Sequence, residues 1–305
     1  MRAQFVGDLS DSGADVLLSI LCHPAPPVPG PATRTMTIVP DDTDAAFYLP
    51  TADPTRFLAT RRTEGPWAPG TQHAGPPSAL LTRAIERLPS SIEGPSQLTR
   101  LAVEILGPVP TGEVSVIATV TRPGRAVELV EGELEANGRA TMRVRAWRIR
   151  STSINLPNGL NGHLSPPPPI PATADGFRDE TWSEAYLGAV EWRFVSGHLE
   201  IPGPASAWTR LRIPLVAGED PSPTQRLAAV ADSGNGLSSL LSFDRWWYIN
   251  TDLVIHLHRV PSGEWIFIDA RSTLDPSGVG IAETDLYDAS GRVGRGAQSL
   301  MVGPR

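Results

Sequence analysis

Two short motifs occur twice in this sequence, in the same order and at nearly the same separation. Val109–Glu113 (VPTGE) matches Val260–Glu264 (VPSGE) at an offset of 151 residues. Asn137–Arg139 (NGR) matches Ser290–Arg292 (SGR) at an offset of 153 residues. Self-similarity at a constant spacing is typical of a repeated structural unit. The chain of 305 residues is therefore predicted to consist of two similar halves.

Proline-rich segments separate these halves from each other and from the start of the chain. Residues 1–35 end in HPAPPVPGPATRT, and Ser165–Pro171 reads SPPPPIP. Closely spaced prolines favour an extended chain over regular packing. We therefore expect four segments, which are a disordered leader over 1–35, an N-terminal domain over 36–164, a linker over 165–171 and a C-terminal domain over 172–305.

Each half contains one candidate helix. His73–Leu88 has proline in its first turn, where no backbone N–H is needed, and its apolar residues fall on one face. Pro223–Leu241 shows a similar apolar face, although Gly234 and Gly236 lower the helix propensity of its middle. Two interpretations of these glycines stay open, a weak point in the helix or room for a ligand.

Candidate strands follow each helix. Arg139–Ile149 places Met142, Val144 and Ala146 on one face and more polar residues on the other, which is the pattern of a half-buried strand. The sequences EANGR and DASGR are typical of hairpin turns. The second half has counterpart strands at Trp265–Ser272, Val279–Tyr287 and Ala297–Val302. A helix followed by antiparallel strands, repeated once, predicts an α+β double hotdog in which each sheet wraps around one central helix.

Composition excludes several classes of protein. The formal net charge of -7 leaves no basic excess for a nucleic-acid partner. Cys22 is the only cysteine, which excludes an intrachain disulfide and a cysteine-based zinc site. No apolar run approaches the ~20 residues of a membrane helix, and Ala14–Cys22 lacks the positive charge and cleavage site of a signal peptide. We expect a soluble, cytoplasmic protein without a membrane partner.

Other motifs of chemical interest are weak. His256 and His258 share a strand face with Asp252, which is the spacing of a metal pair, but the sequence offers no third ligand. We therefore predict neither a metal nor a cofactor. Gly234-x-Gly236 is too short for a dinucleotide fingerprint. The lack of a Gly-x-Ser-x-Gly motif disfavours a serine hydrolase of the α/β type.

Several segments resemble a known family. Gly65–Glu86 (GPWAPGTQHAGPPSALLTRAIE) is similar to the first helix region of bacterial acyl-CoA thioesterase II-like (TesB-like) double-hotdog proteins. Three segments resemble the second hotdog of that family, namely Tyr248–Arg259 (YINTDLVIHLHR), Gly263–Arg271 (GEWIFIDAR) and Leu286–Val302 (LYDASGRVGRGAQSLMV). The resemblance covers roughly residues 36–305, and the glutamine-containing last strand is its most specific part. It implies a double hotdog that hydrolyses acyl-CoA to a free acid and CoA.

The resemblance also implies a catalytic group. Such thioesterases hold a water with an aspartate, a threonine or other small hydrogen-bonding residue, and a glutamine, and these positions fall on Asp232, Asn250 and Gln298. Asn250 departs from the threonine of the best-known members, and Thr251 is the alternative if the register is shifted by one residue. A thioester carbonyl is electrophilic enough for attack by water that a carboxylate base activates. Asp232 is therefore the expected base.

Substrate contacts are expected from the two helix regions. His73 opens the first helix and is either a ligand contact or a helix cap, and the backbone around Gly75, Gly234 and Gly236 is expected to supply oxyanion donors. The aromatic run Trp246–Tyr248 either lines the acyl pocket or belongs to the core.

Two other functions stay open at this point. A double hotdog that binds acyl-CoA without hydrolysing it is one, because the counterparts of Asp232 and Asn250 in the first half fall near Leu81 and Thr99. A hotdog enoyl-CoA hydratase or dehydratase is the other, although such enzymes carry a histidine close to the aspartate and none follows Asp232 here. The oligomeric state is open as well, with a homodimer as one option.

Overall fold

The computed structural model describes residues 45–157, 166–177 and 183–305. The expected leader over residues 1–35, the cysteine at position 22 and the first residue of the linker lie outside the described residues. Residues 166–171 of the linker form neither helix nor strand. No helix among the described residues is long and apolar enough to cross a membrane.

Antiparallel strands dominate the fold, and they form one large sheet. The strands are β1 (Tyr48–Pro50), β2 (Arg56–Ala59), β3 (Ser96–Ile105), β4 (Gly112–Arg122), β5 (Val127–Ala136), β6 (Arg139–Arg150), β7 (Val190–His198), β8 (Ile201–Leu211), β9 (Trp246–Asn250), β10 (Asp252–Leu257), β11 (Ile266–Asp275), β12 (Val279–Asp288) and β13 (Gly291–Pro304). The helices are α1 (Gly75–Glu86), α2 (Tyr186–Ala189), α3 (Pro223–Ala231) and α4 (Gly234–Leu237), and Arg61–Thr63 forms a 3-10 turn.

The sheet joins the two halves edge to edge. Its strand order is β1-β2-β4-β5-β6-β3-β10-β13-β12-β11-β8-β7, and β9 pairs separately with β13. The junction is the antiparallel pairing of β3 with β10, where Ala102 lies opposite Val254. Strand order on the two sides of this junction is related by symmetry, because β6, β5 and β4 correspond to β13, β12 and β11. The predicted double hotdog is therefore confirmed.

Local sequence explains the hairpins that close each half. Asn137 and Gly138 connect β5 to β6 with φ values of 52° and 72°, as a two-residue turn with both central residues at positive φ requires. Met142, Val144 and Ala146 of β6 are buried, and the predicted alternation of this strand is confirmed. The same alternation in the other strands gives the sheet one apolar face.

The two central helices, α1 and α3, pack on the apolar face of the sheet and contact each other. The hydrophobic core contains residues of both helices, including Leu80, Leu81 and Leu227. A Cβ atom at Gly75 would overlap the carbonyl oxygen of Ala229, so the glycine permits a close approach of α1 and α3. The two halves therefore share one core rather than two separate ones.

The second helix is shorter than predicted. The expectation of a helix over Pro223–Leu241 is wrong beyond Ala231, where α3 ends, and only Gly234–Leu237 resumes helical structure. A side chain from a distant strand explains the break, because Gln298 accepts a hydrogen bond from the backbone N–H of Asn235 and donates one to the carbonyl of Asp232. These bonds replace helical ones at this point. The first helix is also shorter at its ends than the predicted His73–Leu88.

Candidate active site

Asp232 lies directly after α3, at the break in the second helix. The residue is 3% exposed, so its carboxylate is buried. Two side-chain amides donate to its Oδ1, Asn250 Nδ2 over 2.8 Å and Gln298 Nε2 over 3.1 Å. Asn250 ends β9 and lies opposite Leu300 of β13, which brings it beside Gln298 of the same strand. The structure thus brings all three predicted catalytic residues together.

The amide hydrogens of Asn250 and Gln298 are fully occupied. Asn250 Nδ2 also donates to the carbonyl of Asp252 over 3.2 Å, and Gln298 Nε2 also donates to the carbonyl of Asp232 over 3.0 Å. A side-chain amide has two hydrogens to donate. The two residues therefore hold the carboxylate and the end of α3 in a fixed position.

Asn235 completes this network, although the sequence analysis does not single it out. Its backbone N–H donates to Gln298 Oε1 over 3.0 Å, and its Nδ2 donates to Asn250 Oδ1 over 3.4 Å. Both bonds fix which end of each amide faces Asp232. A polar residue between two glycines in an apolar segment is the available sequence signal, and Asn235 is indeed buried.

His73 reaches the same carboxylate from the other half of the chain. Its Nδ1 lies 3.3 Å from Asp232 Oδ2 and accepts a hydrogen bond from the backbone N–H of Gly75 over 3.0 Å. The second contact satisfies a free N–H group at the start of α1. The histidine therefore caps the first helix and lies beside Asp232, and its contact with a ligand stays a prediction.

The environment of His73 determines its protonation. Burial lowers the pKa of the imidazole below its ordinary value, and nearby Asp232 raises it by a smaller amount. In the neutral ring Nδ1 accepts from Gly75, so the proton is on Nε2. Nδ1 then cannot donate to Asp232. Within the described residues no donor serves Asp232 Oδ2, while Oδ1 receives two hydrogen bonds.

Tyr186 supports this arrangement and is also missed by the sequence analysis. Its ring stacks on His73 with centroids 3.9 Å apart. Its hydroxyl donates to the carbonyl of Ala229 over 2.9 Å and lies 2.9 Å from the hydroxyl of Ser233. Burial raises the pKa of the Tyr186 hydroxyl far above its usual range. Tyr186 thus stays neutral and fixes both the histidine ring and the end of α3.

The glycines near the site differ in their surroundings. A Cβ at Gly234 would lie 2.6 Å from Thr284 Cγ2 and 2.9 Å from Gln298 Oε1, so this glycine lets Gln298 approach the chain break. Gly75 permits the close contact between helices described above. Gly236 is different, because a Cβ there would meet no atom within 4 Å. Of the three, Gly236 faces open space beside the network.

The neighbours of the cluster separate the sequence alternatives. Asn250 is buried at 6% exposure, whereas Thr251 is exposed and donates its backbone N–H to the carbonyl of Ser299.

His256 and His258 are exposed on the sheet face that points away from the helices. The described part of the chain holds no group of three or more histidine, cysteine, aspartate or glutamate side chains that suits a metal ion.

The described residues of the first half lack the same polar cluster. Ala102 lies opposite Arg145 in the first half, and the residues at one constant offset from them, Val254 and Ala297, lie opposite each other in the second half. The same offset places the counterpart of Gln298 at Ala146. Leu81, near the counterpart of Asp232, is completely buried in the core. In the described residues the polar cluster therefore occurs in the second half, with His73 as the contribution of the first.

The fold and the polar cluster together define a tandem hotdog protein with a buried carboxylate at the helix break. Residues 63–149 match the family model described as the acyl-CoA thioesterase N-terminal domain, and residues 166–302 match that of the C-terminal domain. These two matches cover most of the chain. The protein belongs to this acyl-CoA thioesterase family.

Solved structures share the fold at low sequence identity. A hot dog fold protein of unknown function from Alicyclobacillus acidocaldarius has a TM-score of 0.63 and 15% identity, covering 88% of this chain and 99% of its own. Acyl-CoA thioesterase II TesB2 from Mycobacterium marinum has a TM-score of 0.58 and 14% identity, covering 87% and 97%. The tesB protein of Mycobacterium avium subspecies paratuberculosis has a TM-score of 0.59 and 14% identity, covering 86% and 99%. No curated protein matches the chain significantly.

Proposed function

We propose that the protein hydrolyses acyl-CoA thioesters, with Asp232 as the general base for an attacking water. The observation that supports this proposal is the asymmetry of the Asp232 carboxylate. Oδ1 is held by Asn250 and Gln298, while Oδ2 receives no hydrogen bond from the described residues. A carboxylate that is held in position and has one oxygen that accepts no hydrogen bond is suited to take a proton from water. Asn250 and Gln298 act in this proposal chiefly by positioning Asp232.

His73 supplies the second chemical group of the proposal. Because Nδ1 accepts from Gly75, the neutral ring carries its proton on Nε2, and within the described residues Nε2 has no hydrogen-bond partner. A neutral imidazole N–H donates to a carbonyl oxygen without giving up its proton. We assign to Nε2–H the stabilisation of negative charge on the thioester oxygen during attack. Gly236 is the glycine proposed as a substrate contact, through the open space beside its Cα atom, since its N–H already donates to Asn235 Oδ1.

An aromatic cluster next to Asn250 is the proposed contact of the acyl group. Tyr248 lies two residues before Asn250 on β9, and its ring centroid is 5.3 Å from that of Trp67 and 5.2 Å from that of Phe243. Trp67 comes from the first half, so the cluster bridges the halves beside the proposed base. An apolar acyl chain gains free energy by contact with such rings.

Hydration of 2-enoyl-CoA is the second candidate function. No histidine follows Asp232 closely along the chain, but the Nδ1 atom of His73 lies 3.3 Å from Oδ2 of that residue. A buried aspartate–histidine pair is the feature expected of hotdog hydratases. The same carboxylate would then direct water to a carbon–carbon double bond in place of the thioester carbonyl.

A panel of substrates distinguishes these functions. Purified protein is incubated with saturated acyl-CoAs of several chain lengths and with crotonyl-CoA, and free CoA is measured with a thiol reagent. Release of CoA that depends on Asp232 is expected from a thioesterase. Loss of the enoyl absorbance without release of CoA would identify a hydratase. Saturable acyl-CoA binding without either reaction would indicate a binding protein and overturn the proposal.

A further inference from the structure

The outer face of the sheet carries an open groove over the junction between the two halves. The groove has a volume of about 580 Å³, and its lining residues include Arg100, Trp147, His256, His258, Arg292 and Arg295. His258 directly follows β10, and the other residues belong to β3, β6, β10 and β13. Leu253 and Ile255, which alternate with the exposed residues of β10, are buried towards the helices. The groove therefore lies on the opposite side of the sheet from the helices and Asp232.

Three basic residues stand side by side across the junction. In the strand register His256 lies directly opposite Arg100 of β3 on one side and Arg295 of β13 on the other. Burial lowers the pKa of His256, and the positive charges of Arg100 and Arg295 lower it further. The two arginines therefore lie two strand spacings apart, about 10 Å between their backbones. The arrangement places two positive charges on either side of a neutral imidazole.

Arg100 and Arg295 form no ion pair within the described part of the chain, although its net charge is -7. Asp285 lies opposite Arg295 in the register but forms its ion pairs with Arg292 and Arg271. An anion from outside the chain would supply the missing negative charge.

Two other arginines on the same sheet face provide the contrast. Arg143 pairs with Glu133 at 2.6 Å, and Arg145 pairs with Glu131 at 2.8 Å on the neighbouring strand. Cross-strand pairing with glutamate is thus the ordinary arrangement on this face. The unpaired arginines coincide with the groove.

The local backbone also departs from regular pairing at the groove. The register of β3 against β6 shifts between Leu98 and Arg100, and that of β12 against β13 shifts between Leu286 and Tyr287. A shifted register changes where the neighbouring side chains point. Trp147 is half-buried and lines the groove beside the basic residues.

We propose that this groove binds a small molecule that carries phosphate groups, with Arg100 and Arg295 on the phosphate oxygens and Trp147 against the remainder of the ligand. Guanidinium groups match phosphate geometry through paired N–H donors. His256, neutral between the arginines, adds a hydrogen bond to the same anion. The ligand is either a free phosphorylated metabolite or the phosphorylated nucleotide part of a CoA molecule, and both share this chemistry.

The test measures binding of inorganic pyrophosphate and of ADP to the full chain by isothermal titration calorimetry. The double variant Arg100→Ala/Arg295→Ala is compared with Arg143→Ala/Arg145→Ala, which removes the same number of positive charges from the same face. Saturable binding to the wild type is expected to weaken at least about tenfold in the first variant, because each arginine–phosphate contact is a charge-assisted bond. The second variant should change the affinity less than about threefold, because Arg143 and Arg145 are already paired with Glu133 and Glu131.

Further arms identify the source of the ligand. Tighter binding of ADP than of pyrophosphate, with the difference lost in Trp147→Leu, indicates a nucleotide, whereas equal affinities indicate recognition of phosphate alone. An increased KM for acyl-CoA in Arg100→Ala/Arg295→Ala assigns the groove to CoA, and an unchanged KM assigns it to a separate metabolite. Melting temperatures confirm that each variant is folded. Equal loss of binding in both double variants, or no saturable binding to the wild type, overturns the proposal whether or not the protein hydrolyses acyl-CoA.

Discussion

The Nδ1 atom of His73 lies 3.3 Å from Oδ2 of Asp232, and these two residues come from different halves of the chain. Neither half alone contains both groups of the proposed reaction. The shared core and the pairing of β3 with β10 bring them together. The repeat therefore creates one candidate site among the described residues, at the contact between unequal halves.

Replacement of the proposed base should abolish most of the activity without unfolding the protein. Asp232→Asn keeps the shape of the side chain and leaves Oδ1 able to accept from Asn250 and Gln298. We expect kcat for acyl-CoA hydrolysis to fall ~10²–10⁴-fold, with little change in KM, because the carboxylate acts on water. Steady-state kinetics measure the loss. A variant with near wild-type kcat would exclude Asp232 as the base.

The residues that hold Asp232 should act as a unit with it. Gln298→Ala and Asn250→Ala each remove a hydrogen bond to Oδ1, so kcat should fall by less than in Asp232→Asn. Either change combined with Asp232→Asn should add little, since the effects of cooperating residues are not additive. Thr251→Ala is the matched control, because Thr251 is exposed beside Asn250. Thr251→Ala with the larger loss would reverse the assignment.

The rate and the stability should both respond to protonation of His73. Burial depresses the pKa of its imidazole, so kcat/KM should hold steady from neutral pH to 6.5, the ordinary histidine value, and decline only at lower pH. With a proton on Nδ1, His73 would donate a hydrogen bond to Asp232 Oδ2, and this oxygen would be less available to take a proton from water.

The contribution of His73 to the free energy of unfolding should also decrease as the pH is lowered. It is complete above pH 6.5 and is lost as the pH falls through the depressed pKa, since the unfolded chain binds the proton first. Denaturant titrations of wild type and His73→Gln between about pH 5 and 8 measure the difference. A wild type that gains stability relative to the variant as the pH falls would contradict the assignment.

The C-terminal segment should not fold by itself. Residues 172–305 would expose the edge of β10 that pairs with β3, and α3 would lose its contact with α1. Arg83 and Glu219, which form an ion pair at 2.6 Å, would be separated as well. We expect the fragment to aggregate or to show no cooperative melting by circular dichroism. A soluble fragment with a sharp transition would show that the halves are independent domains.

Two glycine substitutions separate packing from substrate contact. Gly75→Ala would place a methyl group onto the carbonyl of Ala229, and we expect a loss of about 1–3 kcal/mol in the free energy of unfolding. Gly236→Ala meets no atom within 4 Å and should change stability by less than about 1 kcal/mol. Denaturant titration measures both. Reduced acyl-CoA affinity in Gly236→Ala at unchanged stability would support substrate contact there, and unchanged affinity would remove Gly236 from the site.

The sequence determined the features that depend on local pattern. Alternation over β6 and the Asn137-Gly138 turn specify strands and hairpins because side-chain direction and positive φ are properties of neighbouring residues. The recurrence of two motifs specified the two halves. Resemblance to a family singled out Asp232, Asn250 and Gln298, although spacing alone could not show that they meet.

Tertiary structure decided what depends on distant parts of the chain. The second helix breaks at Asp232 because Gln298, 66 residues later, bonds to the backbone on both sides of the break. Asn250 rather than Thr251 faces Asp232 because one step along a strand reverses the side-chain direction. His73 reaches the carboxylate only through the packing of the two halves, and Tyr186 stacks on the histidine ring. Periodicity and propensity do not encode such contacts, because they arise from the way that helices and sheet pack around a common core.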